Sequence, residues 1–210
     1  MLRAFTRLAG RALALAVCAM SLSATAADAP PAPGYRAEAY RAELTRIAHS
    51  TWGLDAPVAV FAAQIHQESS WQPAALSKVG ARGMAQFMPA TATWWCQLAR
   101  LAPVDCQPNN PTWAMRSLVG YDLWLLQRVN GQSEYDRVWA SLRSYNGGLG
   151  HWQNEAKVAR PLADRASIDR ACGRASRAVV HCAENLGYPD RILNRLQRQY
   201  SGWGRMVVPE

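Results

Sequence analysis

The residue from which chemistry can start is Glu68. It comes after Val58, Phe61, Ala62 and Ile65, whose spacing makes one stripe of a helix, and it lies three residues past Ile65 on that same apolar face. Desolvation there disfavours the charged form and raises the pKa, as a general acid working near neutral pH requires. An isolated glutamate at a helix end would sooner sit in water or pair with an arginine; the neighbouring groups favour the chemical reading. Gly80 and Gly83 bracket a bend in "GARG" that lets backbone approach a ligand. Gln86 interrupts the apolar run "MAQFM", where burial would oblige its amide to find partners. Downstream, "YNGG" places Tyr145 and Asn146 at a helix end. Amides bond sugar hydroxyls and acetamides, and aromatic faces cover the apolar side of a sugar ring, so these groups suit a carbohydrate. The nine tryptophans agree with that, although most of them read as core.

Helices must position these groups. Apolar spacing through Ala39, Tyr40, Leu44 and Ile47 predicts a first helix. Asp55 with Pro57 predicts an N-cap and a proline in the opening turn of the helix that ends near Glu68. Pro89 opens a helix in "PATATWW", and Asn110-Pro111 starts one through Leu118, Tyr121, Leu125 and Val129. Ser133 with Asp136 resembles a capping box for a helix through Trp139 and Leu142 that stops at "YNGG", and a last helix is predicted from about Tyr188 to Tyr200. No run of alternating apolar residues is long enough for a sheet. The fold class is therefore mainly α, with at most a small hairpin near residues 76–88.

The amino terminus carries Arg3, Arg7 and Arg11, an apolar run from Ala12 to about Leu22, and then small residues, which reads as a secretory signal peptide over residues 1–26. Residues 27–34 read as a flexible linker and 35–205 as one domain. A lipid anchor through Cys18 is the weaker reading, because Val17 before it is bulky. The location expected is periplasmic or secreted, without stable membrane insertion, since no segment reaches the roughly 20 residues of a span. The formal charge of +8 falls to about +5 once the leader is removed, which favours polyanionic surroundings. Secretion and the lack of a compact basic cluster argue against nucleic acid. The basic residues from Arg160 to Arg177 are interrupted by Asp164 and Asp169 and read as a solvated face.

Four cysteines remain after cleavage, an even number in an oxidising compartment. Cys96 and Cys106 share their spacing with Cys172 and Cys182, and each pair brackets a loop-like segment. The local pairs are the expectation, with the crossed connectivities still open. His49, His66, His151 and His181 are scattered and no C-x-x-C exists, so neither a metal nor a cofactor is expected.

Around these residues the sequence resembles the lytic transglycosylases of the soluble type (SLT), whose catalytic domain is goose-lysozyme-like. The resemblance rests on Glu68-Ser69, Trp71, Gln72-Pro73, Ala75-Leu76-Ser77, Gly80-Ala81-Arg82-Gly83, Met84-Ala85, Gln86 and Met88-Pro89-Ala90-Thr91-Ala92. It extends through Ser144-Tyr145-Asn146-Gly147-Gly148 and, more weakly, Glu184 with Tyr188. Ala85 departs from the family's usual methionine, which puts the shape of a sugar subsite in question, and the cysteine-bracketed segments exceed the family core. The resemblance implies a lysozyme-like helical domain that cleaves the β-1,4 bond between N-acetylmuramic acid and N-acetylglucosamine in peptidoglycan. Glu68 would be the catalytic acid and base. Ser69, Gly83, Met84, Gln86, Phe87, Tyr145, Asn146 and Tyr188 would surround the sugars. Ordinary glycosidases need two carboxylates, and no second acid accompanies Glu68 in any recognised motif; an internal nucleophile, the muramoyl C6 hydroxyl, makes one sufficient. A hydrolytic muramidase of related fold and a non-catalytic peptidoglycan-binding part of an envelope machine are the alternatives.

Overall fold

The computed structural model describes residues 34–162 and 164–210. The signal-peptide, lipid-anchor and linker expectations for residues 1–33 fall outside them. The described chain is mainly helical: α1 (Tyr35–Glu38), α2 (Arg41–Trp52), α3 (Val58–Ser69), α4 (Pro89–Leu98), α5 (Pro111–Leu126), α6 (Glu134–Gly147), α7 (Leu149–Val158), α8 (Arg165–Arg170) and α9 (Cys182–Pro189). Among the described residues no helix is long and apolar enough to cross a membrane.

The centre of the fold is α3. Every residue from Val58 to Ile65 is buried, so it is apolar nearly all round and not on one stripe as the spacing suggested. Its alanines at 59, 62 and 63 are small enough for neighbours to approach from all sides. The carboxy-terminal segment and α2 pack on it, α5 lies against α2 and α6, and α6 meets α7 and α9. Trp71, Trp113, Trp139, Trp152 and Trp203 are buried core residues.

Three helix starts agree with the sequence. Pro89 opens α4. Asn110 caps α5 by accepting from the Trp113 amide at 3.1 Å. Ser133 caps α6 by accepting from the Asp136 amide at 3.1 Å, and that helix ends at Gly148, whose φ of 89° ordinary side chains disfavour.

Other elements differ. Asp55 does not cap α3: Pro57 occupies the cap position with no side-chain bond, and the Asp55 carboxylate, which lies two residues too early, pairs with Arg205 at 3.1 Å. The hairpin near 76–88 is reduced to two single bridges, Leu76 with Arg82 and Arg82 with Phe87, because the turns at Gly80 and Gly83 leave no length for a ladder. The last helix starts at Cys182 rather than Tyr188 and is not uniform. After Pro189, which has no N–H to donate, it widens to π geometry over Asp190–Arg195 and tightens to a 3₁₀ turn over Leu196–Trp203. Arg177 does not belong to a solvated face; it is buried and ion-paired. Cys96 is bonded to Cys106 and Cys172 to Cys182, as their spacing led us to expect, each with Cα atoms 5.9 Å apart.

Candidate active site

Glu68 sits in the last turn of α3, and the backbone immediately after that turn is unusual. Ser70 and Trp71 both adopt positive φ, 50° and 65°, a region that side chains seldom occupy. Anchors on both sides hold them there. The Trp71 indole is buried, stacks on Tyr40, and donates to the Tyr200 hydroxyl at 2.8 Å. The Ser69 hydroxyl donates to the Met84 carbonyl at 2.9 Å and accepts from the Gln72 amide at 3.2 Å. The end of α3 is thereby tied to the 75–87 segment.

That segment is a set of interlocked turns. The Gly83 amide donates to the Ala75 carbonyl at 2.9 Å. The Gln86 side-chain amide donates to the carbonyls of Gly83 at 2.9 Å and Ala75 at 3.3 Å, which leaves its Oε1 as the side chain's remaining polar group. A Cβ at Gly83 would collide with the Pro108 carbonyl, so this glycine lets the chain just after Cys106 close over the turn.

Tyr188 reaches Glu68 from α9: its hydroxyl donates to Glu68 Oε1. Tyr145, at the end of α6, lies parallel to Tyr188 with ring centroids 6.5 Å apart and donates to the Ala85 carbonyl at 2.7 Å. Burial pushes the Glu68 carboxyl up to about 7; the Tyr188 bond and Arg191 pull it down and Glu184 pushes it further up, without reversing the effect of burial. Burial, and then the nearby Glu68 charge, holds Tyr188 well above the usual phenol range, so it stays a donor throughout the range in which Glu68 titrates.

The predicted site residues therefore divide. Around the end of α3, Tyr188 bonds Glu68 and stacks on Tyr145, while Gln86 is held in the 75–87 turns and Asn146 is held by Asn185. Ser69, Gly83, Met84 and Phe87 shape it from beneath: Ser69 and Gly83 by the contacts above, Met84 within the core, and Phe87 with its ring against Trp113, Tyr121 and Tyr145. These four residues are buried among the interlocked turns. Ala85 is buried too, and it offers the site its carbonyl.

Two groups near the site escaped the motif reading. Asp122 on α5 is buried, takes a hydrogen bond from Gln64 at 3.4 Å, and is held well above the ordinary carboxyl range by burial, with Glu68 among the charges acting on it. An aspartate inside "SLVGYDLWLL" was the available signal. The second is a buried ionic network under the "YNGG" segment. Arg143 donates to Glu155 at 2.5 Å, to Asp169 at 2.9 Å and to Asn185 at 3.0 Å. Arg177, from the loop closed by Cys172–Cys182, donates to Glu155 at 2.8 Å and to the Gly147 carbonyl at 3.2 Å. Asn185 donates to the Arg143 carbonyl at 2.8 Å and to Asn146 Oδ1 at 3.1 Å, fixing the orientation of the Asn146 carboxamide.

A helical domain with one protonatable glutamate at a helix end, flanked by amides and parallel phenols, has the form of a lysozyme-like glycan-cleaving domain. Residues 44–168 match the Transglycosylase SLT domain, and the chain belongs to that family. It is 35% identical over 96 residues to membrane-bound lytic murein transglycosylase F of Alteromonas mediterranea, covering 45% of this chain and 19% of the relative. The protein of the same name from Hahella chejuensis is 34% identical over 106 residues, covering 50% and 18%. The chain thus spans about a fifth of the length of these curated relatives. Among solved structures, an inactive mutant of the lytic transglycosylase Slt from Pseudomonas aeruginosa superposes with a TM-score of 0.61 at 22% identity, covering 81% of this chain and 26% of that one. The 70 kDa soluble lytic transglycosylase of Escherichia coli gives 0.57 at 19% identity, covering 80% and 26%. These likenesses show the lysozyme-like SLT fold.

Proposed function

We propose that this protein is a peptidoglycan lytic transglycosylase that cleaves the β-1,4 bond between N-acetylmuramic acid and N-acetylglucosamine, leaving 1,6-anhydro-muramic ends. The observation that carries the reading is a single carboxyl at the end of α3, held up to about 7 by burial and bonded by the Tyr188 hydroxyl. Protonated Glu68 gives its proton to the glycosidic oxygen as the C1–O4 bond breaks. The muramoyl C6 oxygen then bonds to C1, and its proton passes to the Glu68 carboxylate, which restores the acid. No water is consumed. A nucleophile already tethered to the reacting sugar has a high effective concentration, so a second carboxylate is not needed.

Tyr188 steadies the carboxylate that forms when the first proton leaves, by a hydrogen bond to a charged acceptor. Gln86, with both amide hydrogens committed to the turn, presents an acceptor suited to a sugar hydroxyl or acetamide N–H. Asn146, oriented by Asn185, and the parallel rings of Tyr145 and Tyr188 complete the sugar-facing set. In this reading residues 1–26 direct export to the periplasm or beyond and are removed, 27–34 link, and 35–205 act on the wall. The two disulfide-closed loops fit that oxidising compartment. The lytic murein transglycosylase names of its Alteromonas and Hahella relatives agree with this activity.

The test is the mass of fragments released from purified sacculi. Anhydro ends, one water lighter than hydrolytic ends and inert to borohydride, are expected. Reducible muramic ends as the main product would mean hydrolysis, and binding without release would mean a non-catalytic wall protein.

A further inference from the structure

The segment between Cys96 and Cys106 is exposed at every residue from Gln97 to Asp105, yet it is largely aliphatic: Leu98 is 47% exposed, Leu101 39% and Val104 75%, with Ala99, Ala102 and Pro103 between them. The disulfide closes it at both ends. One turn before Leu98 on α4, Trp94 is 38% exposed and extends the apolar surface. Single exposed apolar residues are ordinary, whereas a contiguous group of this kind marks a surface that meets something else.

The backbone carries a second signal. Where α4 ends, the Arg100 amide donates to the Gln97 carbonyl at 3.1 Å and the Leu101 amide to the Cys96 carbonyl at 2.9 Å. Those paired bonds make a Schellman cap, whose left-handed position is normally glycine. Here it is Arg100, with a φ of 55°. A side chain at that φ strains the backbone, and since Arg100 is exposed, packing within the fold does not offset the cost. A long cation held outward at such a position serves a contact beyond the fold.

The charges around the loop indicate what it meets. Arg116 of α5 shares a cavity with Leu101 and Asp105 of the loop. The Arg128 guanidinium lies 3.9 Å from the centre of the Trp124 ring, which packs against Trp94 with centroids 5.1 Å apart. Three arginines thus border the apolar group. Of the acids, Asp105 is exposed, and Glu43, beyond the cavity, accepts from the Thr112 hydroxyl at 2.6 Å. An apolar group bordered by cations complements an anionic bilayer: aliphatic side chains enter the acyl boundary, indoles lie at headgroup level, and each arginine near the phosphates strengthens binding. A water-soluble polymer offers no apolar phase for Leu98, Leu101 and Val104. The disulfide keeps the loop ordered before contact, which limits the entropy lost on docking.

We propose that the Cys96–Cys106 loop is a membrane-docking element: Leu98, Leu101 and Val104 enter the surface of an anionic bilayer, Trp94 settles at its headgroups, and Arg100 and Arg116 meet its phosphates. The contact is peripheral, since among the described residues no helix is long and apolar enough to cross a membrane. Trp94 leads inward by ring contacts to Tyr121 at 5.9 Å, on to Tyr145 at 5.5 Å and then to Tyr188, which bonds Glu68. Docking therefore holds the Glu68 site at a set height above a lipid surface. The inference stands apart from the transglycosylase reading and does not depend on it.

The experiment is hydrogen exchange of the full chain, read peptide by peptide, alone, with phosphatidylcholine vesicles, and with vesicles of equal parts phosphatidylcholine and phosphatidylglycerol. Amides over residues 97–105 should exchange about tenfold more slowly with the anionic vesicles and at an unchanged rate with the neutral ones. Attachment through the apolar run from Ala12 to about Leu22 would leave the loop's exchange unchanged, and that result overturns the proposal even when the chain floats with the vesicles. Leu101→Ser combined with Val104→Ser, at exposed positions, should abolish the shielding while near-ultraviolet circular dichroism reports an intact fold. Arg100→Gly suits the left-handed cap, so it should raise the lipid concentration for half-shielding about fivefold without lowering the melting temperature. Shielding that persists unchanged in Arg100→Gly, or that neutral vesicles or a soluble glycan fragment produce equally, would overturn the assignment as well.

Discussion

Replacing Tyr188 with phenylalanine should move the pH dependence of cleavage toward alkali. The phenylalanine ring keeps the parallel packing on Tyr145 but removes the hydroxyl that donates to Glu68. That bond favours the charged carboxylate, and it is the largest influence opposing burial, which alone would push the carboxyl above about 7. A hydrogen bond to a charged group is worth about 1.5–3 kcal/mol, and one pKa unit corresponds to about 1.4 kcal/mol. The loss therefore raises Glu68 by about one to two units. Because cleavage starts from the protonated acid, activity in the native protein should decline as pH rises through about 7. In Tyr188→Phe the decline should come about one to two units higher, with a lower plateau because the carboxylate formed in the transition state loses its donor. The assay is the initial rate of muropeptide release at low substrate, measured from about pH 5 to about pH 10 so that the free enzyme's acid is read. A limb that stays in place or moves toward acid would refute the assignment of Tyr188 as the group that tunes Glu68.

Glu68→Gln should lower cleavage by about 10²–10⁴-fold while glycan binding persists, measured as bound protein and released fragments on the same sacculi. The same substitution should stabilise the protein at alkaline pH. The folded-state pKa of Glu68 is raised from 4.5 to about 7, so the cost of burying its charge is absent below about 4.5, grows as pH rises through about 7, and then reaches up to about 3 kcal/mol. Urea unfolding at two pH values on either side of that window reads it, and equal stability differences at both would contradict the burial of Glu68. Gly147→Ala should destabilise by about 1–3 kcal/mol, as overpacking does, since its Cβ must displace buried Arg177 and Asn185; an unchanged melting temperature would show that the network yields freely. Peptide mapping without reductant should join Cys96 to Cys106 and Cys172 to Cys182, and a crossed pattern would contradict both loop structures.

The features legible in the sequence were local ones. The apolar approach to Glu68, the caps at Asn110 and Ser133, the proline that opens α4 and the glycine that ends α6 each depend on residues within a turn or two of one another. The same holds for the two disulfides, each closing across ten residues. Arg177 looked like one more solvated cation, because its partners Glu155 and Gly147 come from helices 22 and 30 residues away. Asp55 carried a good cap residue's chemistry, but tertiary pairing with Arg205, 150 positions distant, claimed it. Ser69 and Phe87 share a motif with Glu68 and yet serve beneath it, since a motif preserves spacing without saying which side chains the turns will bury. Asp122 was visible as an acid in an apolar helix, but nothing along the chain said that α5 would bring it within electrostatic reach of Glu68.

The sheathing of α3 sets how this site can move. Amide protons from Phe61 to Ile65 are enclosed by packing on every side of the helix, so they have no route to solvent through a small local opening. Their exchange should be governed by global unfolding, among the slowest in the molecule. Glu68 hangs from the end of that rigid rod, which makes the height of its carboxyl above the core as durable as the native state itself. In the proposed reading, adjustment to a polymer then falls to surface segments off that rod, such as the turn at Gly80 with its exposed neighbour Val79.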